Sequence, residues 1–316
     1  MKLVMFGTGD FALPTFQAVV AAGHEVLSLV TQPDRPQGRK QELIPSPIKR
    51  DAIARGIPVF QPEDVNTAGA VEVIRSLGPE LLVTAAYGQI LSAELLGAAP
   101  LGGINLHGSI LPRYRGAAPV ARAIQNGETE AGVTVIRMTP RIDAGGMISI
   151  ARTPIDPDET AGDLETRLAK LGAPLVVETI AGLAEGTATI LPQSTSKVTR
   201  APKLSKDESP IDWSKSAQAI HNKVRSLQPW PQAETFWHPS ELGKAPIRLI
   251  VQRTAVAEGQ GPPGTVIEAA KNRLIVAAGE SAVQILTVQV PGKTPMPTAI
   301  FLNGYHVFPG DRMGPL

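Results

Sequence analysis

Lys2-Leu-Val-Met-Phe-Gly-Thr-Gly-Asp-Phe-Ala12, followed by Leu13 to Ala22 and by Val26-Leu-Ser-Leu-Val30, is the stretch on which the fold turns. An apolar run too short for a helix ends in a glycine-rich turn. A segment with helical spacing covers about residues 11–22, and a second short apolar run follows it. Strand, helix and strand in that order form a βαβ unit, which joins parallel strands by a right-handed crossover. The alternation continues: Leu81 to Ala85, Ile104 to Leu106 and Val133 to Met138 read as strands, and about 47–55, 68–77 and 117–126 as helices. A Rossmann-like α/β domain with a mostly parallel sheet is therefore expected over residues 1–190, covered by a further helix at 158–186. In such sheets ligands lie outside the carboxyl ends of the strands.

The opening turn also fits the G-x-G-x-x-A pattern of dinucleotide sites. A nicotinamide nucleotide would need a carboxylate at the end of the second strand for its ribose. That strand instead ends Val30-Thr31-Gln32-Pro33-Asp34, past a turn-forming proline, and Asp10 stands where phosphates would approach. The glycines are expected to serve a tight strand-to-helix turn, with no nicotinamide nucleotide bound.

Beyond residue 190 the pattern changes. Residues 191–206 are polar and aperiodic and read as a linker. After one helix (Ser214 to Ser226), residues 207–316 show short apolar runs at Ile247 to Val251, Thr265 to Ile267, Leu274 to Ala277 and Val283 to Val290. Glycine- and proline-rich turns separate them, which points to a small β-barrel; the module as a whole resembles an OB-like barrel. Trp213, Trp230 and Trp237 are read as packing residues.

Composition bounds the function. Without cysteine there are no disulfides, thiolate metal sites or cysteine nucleophile. His24, His221, His238 and His306 show no metal-ligand spacing, so no metal is expected. No stretch of 18 apolar residues and no signal or transit segment is evident, so a cytoplasmic protein without membrane contact is expected. The net charge of +1 excludes a polycation, yet from Arg200 onward 13 Lys+Arg face 9 Asp+Glu, a local excess of +4.

Polar residues that carry chemistry gather at Ile104-Asn-Leu-His-Gly-Ser-Ile-Leu-Pro-Arg-Tyr-Arg-Gly116. Asn105 and His107, two apart at a strand end, share one face. Asp143, in Met138-Thr-Pro-Arg-Ile-Asp-Ala-Gly-Gly146, follows the next strand and is expected in a second loop on the same sheet edge. An amide, an imidazole and a carboxylate suit acyl transfer to an amine. The amide donates to an oxyanion, the imidazole donates to it or relays a proton, and the carboxylate fixes the ring. The same groups also suit a polar cap on a loop, and residue chemistry alone does not choose.

The stretch 105–116 and Asp143-Ala-Gly145 resemble the signature of the folate-dependent formyltransferases. Thr31-Gln-Pro-Asp-Arg-Pro-Gln-Gly-Arg39, Pro45-Ser-Pro-Ile-Lys49, Ala86-Tyr-Gly-Gln-Ile-Leu91, Asp212-Trp213 and Pro229-Trp-Pro231 extend the likeness over nearly the whole chain. Within the family it looks like the members whose acceptor is an initiator tRNA charged with methionine. The resemblance implies Asn105, His107 and Asp143 as the catalytic set and 10-formyltetrahydrofolate as formyl donor. It places the folate near Tyr87, Gly88, Gln89, Ile90, Leu91, Ser109, Leu111, Pro112 and Met138. It makes Arg35, Arg39, Lys40 and Lys49 of the 31–50 loop, with Lys203, Lys206 and Arg248, the tRNA-binding candidates, in a chain expected to be monomeric. Gly9 and Gly146 stand where the family commonly has other residues. Rival readings are a relative formylating a purine precursor or an amino sugar, and a non-enzymatic folate- or tRNA-binding protein.

Overall fold

The computed structural model describes residues 1–37, 42–241 and 243–316. Two compact units divide the chain: Met1–Pro119, Glu130–Pro154 and Glu165–Pro202 form the first, and Val120–Thr129, Ile155–Leu164 and Lys203–Leu316 the second. Most of the stretch read as a linker thus belongs to the first unit.

The first unit is built on a seven-stranded sheet in the order Met147–Pro154, Glu130–Arg137, Gly103–His107, Leu81–Ala85, Lys2–Gly7, Glu25–Val30, Val59–Phe60. From Gly103–His107 to Val59–Phe60 every pairing is parallel. All five residues of Leu81–Ala85 and the last five of Lys2–Gly7 are buried, because strands covered on both faces need continuous apolar runs. Gly7 is demanded by space: a Cβ there would sit 2.6 Å from the Ala12 Cβ. Helices Leu13–Ala21, Pro47–Ala54 and Ala68–Ser76 lie where the spacing predicts them. The last two begin on Ser46 and Thr67, whose hydroxyls cap the first turn.

Two strands depart from the expected pattern. Glu130–Arg137 runs antiparallel to Gly103–His107, with Arg137 opposite Ile104 and Thr134 opposite His107. Its carboxyl end therefore lies at the far end of the sheet from His107, and the loop carrying Asp143 does not start on the expected edge. Met147–Pro154 pairs antiparallel with it as an edge strand. None of the residues of this strand is fully buried, so it shows no apolar stripe by which the sequence could reveal it.

The second unit is a barrel-like antiparallel sheet. Its strands run Val266–Ala270, Arg273–Ala277, Ala282–Gln289, Ile247–Ala257, Ala233–His238, Arg312–Gly314, with Met296–Pro297 added on Ala282–Gln289. The ends of this row meet: Val266 N–H donates to the Asp311 carbonyl at 2.8 Å, and Met313 N–H to the Gly264 carbonyl at 2.6 Å. Helix Ala217–Ser226 adds Ile220 and Val224 to the core of this unit. Trp213 and Trp237 are buried in that core, their indole N–H groups donating to Thr235 and Asp311. Trp230 is 46% exposed, so the packing role expected of it does not hold. Among the described residues no helix is long and apolar enough to cross a membrane.

Candidate active site

The strand Gly103–His107 ends at a buried imidazole. His107 is 6% exposed, and Asn105, two residues earlier on the same face, is half-buried. The Asn105 amide makes no hydrogen bond to any described side chain or backbone group, so all of its capacity is available to a ligand. His107 is held on both nitrogens. Its Nε2 lies 2.9 Å from the Tyr114 carbonyl, and its Nδ1 3.5 Å from Asp143 Oδ2. A carbonyl only accepts, so Nε2 carries a proton and donates it, and Nδ1 is the atom that faces the carboxylate.

The Tyr114 carbonyl reaches the ring because the loop after His107 is tied down by hydroxyls. Thr134, on the neighbouring strand, donates to the Ser109 carbonyl at 2.7 Å and accepts from Leu111 N–H at 3.1 Å. Ser109 Oγ donates to the Arg113 carbonyl at 2.6 Å. Tyr114 has a φ of +60°, and its N–H donates to Thr199 Oγ1 at 2.8 Å. Arg115–Gly116 then pairs with Arg200–Ala201 in a short parallel ladder. A Cβ on Gly116 would stand 2.6 Å from the Ala201 carbonyl oxygen, so only glycine permits this approach.

Asp143 arrives from the wrong end of its strand because the loop 138–146 folds back. Its Oδ2 accepts the Gly116 N–H at 2.9 Å while facing His107. Asp143 has a φ of +48°, a left-handed conformation that costs a non-glycine residue about 1–2 kcal/mol. Two glycines let the return path close. A Cβ on Gly145 would run into the Arg137 carbonyl oxygen, and one on Gly146 into the Ile190 side chain. The unusual Gly146 thus lets the Ile190 side chain lie directly against the backbone of this loop. Gln193 bridges the loops: its amide NH2 donates to the carbonyls of Asp143 and Gly145, both at 2.7 Å. Its oxygen accepts from Arg115 Nε at 3.0 Å and from a terminal guanidinium nitrogen at 2.7 Å. Sequence reading passes over Gln193 because it lies in an aperiodic polar stretch.

The residues expected around a folate fall into two groups. Tyr87, Leu91, Ser109 and Leu111 are buried. Burial pushes the Tyr87 hydroxyl up to about 12, with the charge of Asp64 adding to it, and that hydroxyl has no partner among the described residues. Gln89 is committed to the backbone, accepting from Val65 N–H at 3.0 Å and donating to the Glu63 carbonyl at 3.0 Å. The Met138 sulfur lies 3.2 Å from the Thr84 hydroxyl. Pro112 is half-buried, while Gly88 and Ile90 are exposed. Ile90 leaves about half its surface open, as does Ile142 in the Asp143 loop.

The basic candidates also divide. Arg39 and Lys40 lie outside the described residues. Arg35 is exposed, but the Lys49 ammonium is bound by Asp34 and by Gln61 Oε1. That hydrogen bond from Lys49 holds the Asp34 carboxyl below the usual carboxylate range, so the acidic group after the second strand is already committed. In the second unit Arg248 pairs with Glu234, whereas Lys203 and Lys206 are exposed and without an ion pair among the described residues. No cluster of three metal-ligating side chains occurs among the described residues.

Comparison with known proteins accords with this geometry. Residues 1–180 match the family described as formyl transferase, and residues 203–306 match the formyl transferase C-terminal domain. The methionyl-tRNA formyltransferase of Moorella thermoacetica is 44% identical over 314 residues, covering 99% of each chain. That of Solibacter usitatus is also 44% identical, again over 99% of both. Among solved structures, an N-formyltransferase from Helicobacter canadensis in complex with folinic acid and dTDP-3-aminofucose superposes with a TM-score of 0.66. It covers 90% of this chain and 98% of its own at 18% identity, a likeness of fold. HypX from Aquifex aeolicus in complex with tetrahydrofolic acid gives 0.63 at 18% identity, covering 95% of this chain and 46% of that one. The loop that brings Asp143 to His107 and the barrel that follows are thus parts of a single full-length match, and this chain belongs to the formyl transferase family.

Proposed function

We propose that this chain transfers the formyl group of 10-formyltetrahydrofolate to the α-amino group of methionine on a charged initiator tRNA. The product is N-formylmethionyl-tRNA for translation initiation, made by a monomer in the cytoplasm. The observation that carries the chemistry is the pairing of His107 with Asp143 on the strand face that also presents the unpartnered amide of Asn105. The observation that favours the acceptor is the full-length identity to methionyl-tRNA formyltransferases.

The steps are derived from these groups. The amine nitrogen attacks the formyl carbon, and the carbonyl oxygen takes the negative charge of the tetrahedral intermediate. Asn105 donates its free N–H to that oxygen, a hydrogen bond that strengthens as charge develops. The bond from carbon to the folate nitrogen then breaks. Over the reaction one proton leaves the attacking amine and one arrives on the departing folate nitrogen, so a group that takes and returns a proton is needed. Asp143 and His107 are that couple: the carboxylate exchanges the proton with amine and folate nitrogen, Nδ1 can hold it against the carboxylate, and the Tyr114 carbonyl keeps the ring from turning. With both ring nitrogens engaged by the protein, direct donation to the oxyanion falls to Asn105.

Supplying a radiolabelled formyl donor with methionyl-initiator tRNA, and separately with an amino sugar nucleotide and a purine-precursor amine, tests this reading. Label is expected on the tRNA. Transfer to a small amine with none to tRNA would overturn the acceptor, and no transfer at all would overturn the activity.

A further inference from the structure

Four hydrogen bonds meet on one side chain that the proposed chemistry does not use. Gln193 lies in a segment fastened to the sheet of the first unit by an antiparallel bridge, Leu191 and Met147 exchanging N–H to carbonyl bonds at 2.8 Å. From there its amide faces groups of fixed polarity. Arg115 offers only donors, and the carbonyls of Asp143 and Gly145 only accept, so the orientation of the amide is unambiguous. Both N–H groups and the oxygen are used, and no other side chain type of this length supplies two donors and a twofold acceptor together.

Gln193 joins the supports of both ring nitrogens. Arg115 belongs to the loop whose Tyr114 carbonyl fixes His107, and Asp143 supplies the carboxylate on the other ring nitrogen. Asp143 holds a left-handed φ of +48°, which persists only if its surroundings determine it. Its carboxylate is held by Gly116 and its carbonyl by Gln193, so the residue is pinned at both ends. On the reading given under Proposed function, we infer that Gln193 is a positioning residue for the reaction: it locks the left-handed Asp143 against His107 by bridging the loops that carry the two partners of the imidazole. It touches neither substrate in this role; Arg115 is its anchor, and the group it positions is Asp143.

The test uses the full-length enzyme and single-turnover formylation of whichever acceptor the wild type formylates. Failure of the tRNA reading therefore shows in the wild type, and failure of the present inference shows only in the variants. Gln193→Leu keeps the size and removes all four bonds. Gln193→Glu keeps the acceptor for Arg115 but turns a carboxylate oxygen onto the two carbonyls. Both are expected to slow the chemical step by about 10- to 100-fold, the scale on which a small misplacement of a reacting group acts. KM for folate and acceptor should stay within about twofold. In an Asp143→Ala background neither change should slow the reaction by more than about twofold further, because the group being positioned is gone. Wild-type rates, recovery in Gln193→Glu, or losses that multiply with Asp143→Ala would each overturn the inference. If Gln193→Leu does not melt cooperatively, Gln193→Glu alone decides, and failure of both to fold would make the residue one of stability instead.

Discussion

At the scale of the residue, one carboxylate oxygen does two things. Asp143 Oδ2 accepts the Gly116 N–H and faces His107 Nδ1, so its neutral analogue separates structure from charge. Asp143→Asn keeps an oxygen for Gly116 and loses the charge; Asp143→Ala loses both. If the charge serves proton transfer, both variants should lose turnover by roughly 10²–10⁴-fold. Near-normal turnover in Asp143→Asn, measured by single-turnover formylation, would remove the carboxylate from the proton path. Tyr87 poses the opposite case. Its ring is packed edge-on against Phe6, with centroids 5.4 Å apart, while its buried hydroxyl has no described partner. A buried unpaired hydroxyl costs about 1–3 kcal/mol, so Tyr87→Phe is expected to melt at the same temperature or higher. A lower melting point, or a raised KM for folate with stability unchanged, would show that the hydroxyl finds a partner. Asn105 and His107 are legible in the sequence because a strand repeats every two residues. The Tyr114 carbonyl is not, since a backbone acceptor leaves no mark on residue identity.

At the scale of the element, buried strands and amphipathic helices are what the sequence shows well. Lys2–Gly7 and Leu81–Ala85 are apolar almost throughout, and the helix over 68–76 buries Ala70, Val71 and Ile74 on one face. Direction is the part that cannot be read. Val133 to Met138 has the same apolar run whether it pairs parallel or antiparallel, and only the register with Gly103–His107 decides where the next loop begins. Ala233–His238 escapes for a different reason: its inward residues are Ala233, Thr235 and Trp237, and the polar Thr235 sits inward because Trp213 Nε1 needs an acceptor. Segments that join a distant core are equally silent. Val120–Thr129 clusters with the second unit, where Arg122 binds the Glu208 carboxylate, with one bond at 2.9 Å. The hydrogen bond from Arg122 holds the Glu208 carboxyl below its ordinary range. A depressed carboxylate adds stability that is present above the unfolded value, about 4.3, and is lost as pH falls through the lower folded value. Arg122→Ala should therefore lower the melting temperature near pH 7, by the equivalent of about 1 kcal/mol for a partly exposed pair. The gap from wild type should narrow as pH falls below about 4. A gap that stays constant down to about pH 3, well under the unfolded carboxylate value, would mean that Arg122 acts through packing and its bonds to Gln125 and the Lys203 carbonyl, and not by its bond to Glu208.

At the scale of the whole molecule, the question is which charges a polyanion can use. The chain from Arg200 onward carries 13 Lys+Arg against 9 Asp+Glu, but counting cations overstates what is free. Arg225 is buried and donates to Asn222 and to the carbonyls of Asp156 and Glu159. Arg248 is held by Glu234, Lys244 by Glu241 and Arg273 by Glu268. Lys203, Lys206 and Arg253 are exposed and have no ion pair among the described residues. A paired cation must give up its carboxylate before it can hold a phosphate, whereas a free one only releases its counterions, so these three, with Lys271, Lys293 and Arg312, which are likewise exposed and without an ion pair among the described residues, should carry most of the phosphate binding contributed by this unit. Each phosphate contact on a nucleic acid contributes about 0.7–0.9 to the slope of log affinity against log salt. Replacing Lys203, Lys206 and Arg253 together by Gln should therefore flatten that slope for methionyl-tRNA by about 2–3 and raise the KM for tRNA. On the reading given under Proposed function, KM for folate should not move, because the residues assigned to folate all belong to the first unit. Arg248→Gln should change the slope by well under one contact, because its charge is already spent on Glu234. Equal slopes for the triple variant and the wild type would mean that tRNA is held elsewhere. A loss on Arg248→Gln as large as that of the triple variant would mean that the ion pair with Glu234 opens to receive the phosphate.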